Sequence, residues 1–151
     1  MGDLATPTPR RHWANAVKRP TVKPMPKGPA QDAVVVSVVD DDESVRDSLP
    51  DLLRSFGFKA QAFASGKAFL ASNLSDTHCV VLDIAMPGMS GPDVYAELIR
   101  LGRRLPVIFI TAHGNPCLCD QLLKQGAVAC LAKPFDPDVL VEAVRRATSE
   151  N

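Results

Sequence analysis

The chain has 151 residues, of which 46% are hydrophobic and 23% charged, which suits one globular domain with a substantial core and hardly allows two. No apolar stretch approaches the roughly 20 residues of a membrane span, and the N-terminus lacks the apolar segment of a secretory signal. We therefore expect a cytoplasmic protein without membrane contacts. We also expect all four cysteines (Cys79, Cys117, Cys119 and Cys130) to be reduced thiols.

The formal net charge of zero hides a division along the chain. Residues 1–30 contain six basic residues and one acidic residue, a net +5, which leaves −5 for the remainder. Six of the 13 prolines lie in the same segment, a density that prevents a stable helix or a central strand. We predict a disordered, basic, proline-rich tail over residues 1–32 and one folded domain over residues 33–151. A true start at Met25 is the alternative.

From residue 33 onward, short apolar runs alternate with stretches of helical spacing, a pattern typical of a parallel sheet covered by helices on both faces. The first predicted strand, residues 33–39, precedes a helix near 43–55 that contains Pro50 at a cost of about 3 kcal/mol. The second strand, residues 59–63, is short and half polar, which favours an edge position. Ser65 is placed to cap the helix after it.

Three more strand–helix units follow. The predicted strands are 79–82, 106–110 and 127–132, and the predicted helices are about 92–101, 116–124 and 136–147. Asp136 can cap the last helix and Pro137 can occupy its first turn. Five such units predict an α/β, doubly wound parallel sheet.

Polar side chains occupy the ends of four predicted strands. They are Asp40, Asp41 and Asp42 after the first strand, Asp83 after the third, Thr111 after the fourth and Lys133 after the fifth. Because parallel strands end at the same edge of a sheet, we expect a single site there. Two carboxylates ~5 Å apart repel by about 3 kcal/mol at an effective dielectric constant of 20, so a cation is needed, and Mg²⁺ fits an all-oxygen set. Asp83 could then attack a phosphoryl group as a nucleophile.

Four segments carry a resemblance to a known family. Residues 38–46 (VVDDDESVR), 82–91 (LDIAMPGMSG), 110–114 (ITAHG) and 133–135 (KPF) resemble the receiver domains of two-component response regulators, in particular the FixJ-like subfamily. The resemblance covers about residues 34–147. It implies a flavodoxin-like (βα)₅ fold with strand order 2-1-3-4-5.

The resemblance also implies a role for each acidic position. Asp83 would be the phosphoacceptor, Asp41 a direct Mg²⁺ ligand, and Asp40 a second acid that acts partly through water. Ala85 would contribute its backbone carbonyl to the metal. Many relatives carry a polar side chain at this last position, so the lifetime of the phosphoryl group stays open.

The remaining implied roles concern the phosphoryl group and the switch. Thr111 and Lys133 would bind the phosphoryl group, delivered by a sensor histidine kinase or a phosphotransfer protein. Relatives usually have Tyr or Phe three residues before the lysine, and burial of that ring accompanies movement of the threonine. This chain has Cys130 there. We therefore predict that phosphorylation alters the surface of the fourth helix and fifth strand less than usual.

The output is expected to run through protein contacts. No DNA-binding domain follows Asn151, which predicts a stand-alone receiver, and the −5 charge of the folded part disfavours direct nucleic-acid binding. Its only catalysis would be its own phosphorylation and dephosphorylation. A downstream protein target is implied, and a homodimer through the last helices is possible.

Two alternative functions remain at this stage. The motif Asp40-x-Asp42-x-Ser44 partly resembles the nucleophile loop of haloacid-dehalogenase-type phosphatases, and a receiver-like binding module that is never phosphorylated is the second alternative. His113, beside Gly114, is expected to face solvent rather than act as a base. Cys117 and Cys119 lack further metal ligands nearby.

Overall fold

The computed structural model describes residues 34–112 and 116–149. The predicted tail, Met25 and His113 lie outside the described residues. Within them, no helix combines the length and the apolar character that a membrane crossing requires.

A five-stranded parallel sheet forms the centre of the domain. Its order is β2-β1-β3-β4-β5, as the resemblance predicted, with the weakly patterned second strand at one edge. The strands are β1 (Val35–Val39), β2 (Lys59–Phe63), β3 (Cys79–Asp83), β4 (Val107–Thr111) and β5 (Ala129–Ala132).

Five α-helices connect and follow these strands. They are α1 (Glu43–Ser55), α2 (Gly66–Leu70), α3 (Gly91–Arg100), α4 (Pro116–Lys124) and α5 (Pro137–Ser149), and a short 3₁₀ helix (Leu74–Asp76) precedes β3. The predicted caps are confirmed, since Ser65 accepts from the Ala68 amide at 3.1 Å and Asp136 from the Asp138 amide at 2.9 Å. The first helix runs through the buried Pro50 without a break.

The core forms two layers, one on each face of the sheet. On one face, α1 and α5 pack against alternate residues of the central strands, including Val36, Val38 and Ile108. On the other face, α2, α3 and α4 pack against Val39, Leu82 and Phe109 among others. Both faces of β3 and β4 are buried, which explains why these strands read as continuous apolar runs.

The strands extend slightly further than predicted at the polar edge. Asp83 and Thr111 are the last residues of β3 and β4 rather than the first residues beyond them. Their backbones therefore belong to the hydrogen-bonded ladder, and the position of each side chain is fixed by the sheet.

The prediction of four reduced thiols is wrong for two of them. Cys119 and Cys130 form a disulfide with their Cα atoms 5.8 Å apart, whereas Cys79 and Cys117 are free. The spacing along the chain did not show this pairing, because it depends on how α4 folds back onto β5. Cys79 is fully buried, as expected for a small hydrophobe in a strand.

Candidate functional site

Three carboxylates meet at the carboxyl-terminal edge of the sheet. β1 pairs directly with β3, so Asp40, Asp41 and Asp83 emerge from neighbouring strands. One carboxylate oxygen from each lies within 4.8 Å of the others. Asp40 and Asp83 are buried and Asp41 is exposed. The predicted acidic cluster is therefore present, with one side open to solvent.

Lys133 supplies a positive charge to this cluster. Its ammonium Nζ lies 3.1 Å from Asp40 Oδ2 and 4.0 Å from Asp83 Oδ1. The backbone amide of Lys133 donates to the Thr111 carbonyl at 2.8 Å, and the following peptide bond to Pro134 is cis. A single ammonium beside three carboxylates leaves the cluster with an excess of negative charge.

Asp40 is held by its surroundings on two sides. Its Oδ1 accepts from the Asp42 amide at 2.9 Å, while its backbone carbonyl accepts from Arg46 Nη1 at 3.1 Å. With Lys133 on Oδ2, both carboxylate oxygens have partners. The sequence analysis predicted no role for Arg46, although this residue lies in the first of the four family-like segments. Its place one helical turn into α1, after an acidic strand end, was the available signal.

The pKa of Asp83 depends on its burial and on the charged groups beside it. Burial, followed by the neighbouring Asp40 carboxylate, raises the pKa of Asp83 from 3.8 to about 7, although Lys133 opposes the increase. The backbone amide of Ala85 also favours the charged form of Asp83 through a hydrogen bond. A carboxylate with this pKa gains strongly from a nearby cation, which would restore its charged and nucleophilic form.

Thr111 and Ala85 flank Asp83 at the same edge. Thr111 is buried at the end of β4, between β3 and β5, where it pairs in register with Ala132. Ala85 is exposed two residues beyond Asp83. The use of the Ala85 carbonyl as a metal ligand stays a prediction, as do the roles of Thr111 and Lys133 toward a phosphoryl group.

Cys130 lies away from the acidic edge. It pairs in register with Phe109 and contacts the core layer that contains α3 and α4. Where an aromatic ring would stand in relatives, the structure has a covalent link to Cys119. The switch position predicted from the sequence is therefore part of a cross-link.

Asp42 has a structural role. Its carboxylate caps α1 by accepting from the amide of Ser44 at 2.9 Å and from the hydroxyl of Ser44 at 2.8 Å. The hydrogen bonds from Ser44 lower the pKa of Asp42. Asp42 is thus a poor candidate for the proton donor that a haloacid-dehalogenase-type loop would need in this position.

Gly91 brings helix α3 against the acceptor strand. A Cβ atom at Gly91 would overlap the backbone carbonyl of Asp83 and approach Ile84 Cα at 2.9 Å. The Gly91 amide also donates to the Ile84 carbonyl at 2.9 Å. Only glycine allows this approach, so Gly91 supports the position of Asp83. The sequence showed Gly91 just before the predicted helix start at Pro92, but not what Gly91 contacts.

The donor set suits a small, hard divalent ion. All three side chains offer carboxylate oxygens, and the exposure of Asp41 leaves room for water and for phosphoryl oxygens. Mg²⁺ favours one or two carboxylates together with several waters. The residues present therefore fit this ion, which would also balance the excess negative charge.

Comparison with known proteins identifies the family. Residues 36–145 match the response regulator receiver domain. The chain belongs to the response regulator receiver family. Members of this family are signalling domains of two-component systems, and phosphorylation and Mg²⁺ binding are typical of them.

Several curated proteins resemble this receiver domain. Nodulation protein W of Bradyrhizobium diazoefficiens is 44% identical over 123 residues, which cover 81% of this chain and 54% of that protein. The transcriptional regulatory protein FixJ of Azorhizobium caulinodans is 40% identical over 115 residues, covering 76% of this chain and 54% of that protein. The chain thus spans about half the length of the curated relatives it matches.

Solved structures agree with the fold. The structure of the response regulator StyR superposes with a TM-score of 0.73 at 40% identity, covering 79% of this chain and 61% of that one. The crystal structure of FixJ-N gives a TM-score of 0.71 at 38% identity, covering 78% of this chain and 95% of that chain. The flavodoxin-like fold and the FixJ-like resemblance are confirmed.

Proposed function

We propose that this receiver domain accepts a phosphoryl group on Asp83 from the phosphohistidine of a sensor kinase or a phosphotransfer protein. The observation that carries the proposal is the cluster of three strand-end carboxylates within 4.8 Å, with the Lys133 ammonium 4.0 Å from Asp83. A structural ion pair would need one acid for one base. Three acids around one base are instead suited to a site that recruits a metal and a phosphoryl group.

The proposed transfer uses the side chains of Asp83, Lys133 and Thr111 at this edge. An oxygen of Asp83 attacks phosphorus, an O–P bond forms, and the bond between phosphorus and the donor nitrogen breaks with its electron pair leaving on the imidazole. Lys133 stabilises the negative charge on the transferred oxygens. Thr111, on the adjacent strand, would donate its hydroxyl to the new phosphoryl group.

Asp40, Asp41 and Asp83, with the carbonyl of Ala85, are the proposed Mg²⁺ ligands. When bound, Mg²⁺ supplies positive charge that neutralises phosphoryl oxygens and keeps Asp83 ionised. Asp40 is restrained by Lys133 and by the Asp42 amide, so its contribution to the metal is partly through water.

Incubation with acetyl phosphate and Mg²⁺ tests the proposal directly. We expect the intact mass to increase by one phosphoryl group, in a linkage stable to acid and labile to base, and the increase to disappear in Asp83→Asn. The matched control is Asp42→Asn, which removes an exposed carboxylate that caps α1 and leaves the acceptor in place. An increase that persists in Asp83→Asn would refute the assignment of the acceptor.

The same variants separate the alternative functions. A haloacid-dehalogenase-type phosphatase would turn over a phosphate ester, lose this activity in Asp40→Asn and keep it in Asp83→Asn. A binding module that is never phosphorylated would show no mass increase at any Mg²⁺ concentration. We expect neither result.

An apolar pocket beside the site suits the protein that delivers the phosphoryl group. It has a volume of about 220 Å³ and lies between the first turns of α1 and the segment after β5, lined by Val45, Ser48, Leu49, Lys133, Pro134 and Phe135 among others. A donor protein that presents a phosphohistidine to Asp83 would contact the residues that line this pocket. Its side chains would gain apolar contacts next to the acceptor.

The cellular setting and the output belong to the same proposal. We infer a cytoplasmic receiver over residues 33–151 that signals to a downstream protein, with no enzymatic activity beyond turnover of its own phosphoryl group. The net −5 charge outside residues 1–30 supports a protein target over a nucleic acid.

A further inference from the structure

The Cys119–Cys130 disulfide joins α4 to the edge strand β5. Both cysteines are partly exposed, so a small thiol can approach the bond from solvent. The two other cysteines differ from this pair. Cys79 is buried, and burial raises the pKa of its thiol to about 12, which makes it unreactive, whereas Cys117 is exposed and free on α4.

Helix α4 contacts the core through two leucines, the buried Leu122 and the partly buried Leu118. Within residues 116–124, Leu122 is the only buried side chain, while α1 buries four residues and α5 six. At the far end of the helix, the Tyr95 hydroxyl donates to the Gln125 carbonyl at 3.1 Å. The disulfide is the covalent link between the first half of α4 and the sheet, so its reduction would leave that half held by non-covalent packing that includes Leu118.

The cross-link also lies in the path from the site to α4. Because side chains two residues apart in a strand share a face, Cys130 lies on the same face of the sheet as Thr111 and its partner Ala132. Helix α4 begins at Pro116, shortly after Thr111 in the chain. The bond at Cys119 thus joins α4 to the strand that lies beside Thr111, and it would oppose a movement of α4 relative to that strand.

We propose that the Cys119–Cys130 disulfide is a reversible redox modification site, a substrate for cellular thiol reductants, and that only its reduced form allows α4 to move when Asp83 is phosphorylated. The second half of this inference rests on the proposed function. In a thiol-reducing cytoplasm, protein disulfides are usually transient and redox-sensing rather than structural.

The chemistry is a two-electron thiol–disulfide exchange. A thiolate of the reductant attacks one protein sulfur, the S–S bond breaks, and the other protein sulfur leaves as a thiolate that takes up a proton. A second reductant thiol then resolves the mixed disulfide. Two protein thiols and one reductant disulfide are the products, and an oxidised reductant reverses the reaction.

The first measurement asks whether the bond responds to a physiological reductant. The full chain is equilibrated at graded ratios of reduced to oxidised glutathione and its free thiols are then alkylated in denaturant. Intact mass spectrometry counts the alkyl groups on each chain. We expect two alkyl groups in the oxidised form and four in the reduced form, because only Cys79 and Cys117 are otherwise free. Cys117→Ser should keep the transition and Cys119→Ser should lose it. Four reactive thiols at every ratio, or a bond that never reduces, would overturn the proposal.

The second measurement asks whether reduction releases the helix. Amide hydrogen exchange in residues 116–124 should become at least about tenfold faster on reduction, while exchange in α1 stays unchanged. Without reductant, exchange in Cys119→Ser should match that of the reduced wild type. Exchange in Cys117→Ser, which changes a free cysteine on the same helix, should match that of the oxidised wild type. Equal exchange in both redox states would show that α4 is held without the disulfide.

The third measurement links the bond to the acceptor. With Mg²⁺ and beryllofluoride as a phosphoryl mimic, we expect NMR shift changes across β5 to be small in the oxidised protein and larger in the reduced one. Coupling is reciprocal, so the mimic should also shift the glutathione ratio at which the bond reduces. Equal responses in both states would refute the coupling. If the mimic failed to perturb Asp83 in either state, the proposed function and the coupling would both fail, and the exchange data alone would decide on release of α4.

Discussion

Asp83 is a buried carboxyl group whose surroundings disfavour its negative charge. It is 4% exposed, faces the carboxylate of Asp40 and has its closest ammonium contact at 4.0 Å. Lys133 lies nearer to Asp40, at 3.1 Å, so Asp40 takes most of the benefit of this cation. The Lys133 ammonium therefore lies closer to the carboxylate of Asp40 than to that of Asp83. Both carboxylate oxygens of Asp40 have hydrogen-bond partners, whereas burial and the Asp40 carboxylate raise the pKa of Asp83 to about 7.

This imbalance predicts a pH-dependent stability of the metal-free protein. The pKa of Asp83 is about 7 in the folded state against an ordinary value of 3.8, so between these pH values the folded chain binds a proton that the unfolded chain has released. The stability from that proton is fully present below pH 4 and is lost as the pH rises through about 7.

Chemical unfolding in a metal chelator measures the effect. Relative to Asp83→Asn, the free energy of unfolding of the wild type should fall by up to about 4 kcal/mol between pH 4 and pH 8. The difference between the two proteins removes the contributions of other carboxyl groups. Parallel pH curves for wild type and variant would contradict the raised pKa.

The strands and most helices were predictable because their patterns are local. Buried parallel strands read as apolar runs, and the acids at their ends follow from the chain direction alone. The sequence pattern could not reveal contacts between residues that are brought together only by the tertiary fold. The pairing of Cys119 with Cys130 depends on the packing of α4 against β5, and the grip of Arg46 on the Asp40 carbonyl depends on a side-chain conformation.

Helix α3 and strand β3 meet at a contact that only glycine permits, which yields a prediction for these two elements. Gly91→Ala would place a methyl group against the Asp83 carbonyl, so we expect a loss of roughly 2–3 kcal/mol in the free energy of unfolding and slower phosphorylation by acetyl phosphate.

Gly88→Ala is the matched control. Gly88 has a φ of +78° but nothing within 4 Å of an added Cβ, so the change should cost about 1 kcal/mol in stability from backbone strain and leave the rate of phosphorylation per folded molecule unchanged. Phosphorylation rates that fall equally in both variants would show that the contact at Asp83 is not what matters.

At the scale of the whole molecule, the acidic edge links metal binding to folding. The three carboxylates are brought together only by the assembled sheet, since they come from the ends of β1 and β3. A ligand that binds only the folded state stabilises it in proportion to the logarithm of its concentration.

Added Mg²⁺ should therefore raise the unfolding temperature. At ten times its Kd the gain is about 1.4 kcal/mol, or roughly 4 °C for a domain of this size. Thermal scans of Asp41→Asn should show little of this increase, whereas Asp47→Asn, an exposed acid of α1 outside the cluster, should keep it. An increase retained by Asp41→Asn would place the ion elsewhere.

The parallel arrangement of the strands gives the domain two dissimilar ends. Val34 precedes β1 at one end and Asp40 follows β1 at the other, separated by the length of a five-residue strand, about 16 Å. An affinity tag or surface tether joined directly before Val34 would hold the domain at the end of the sheet opposite the acidic cluster. Immobilised protein would then present its reactive face outward to a soluble kinase, which makes binding and transfer measurable on a sensor chip without masking the acceptor.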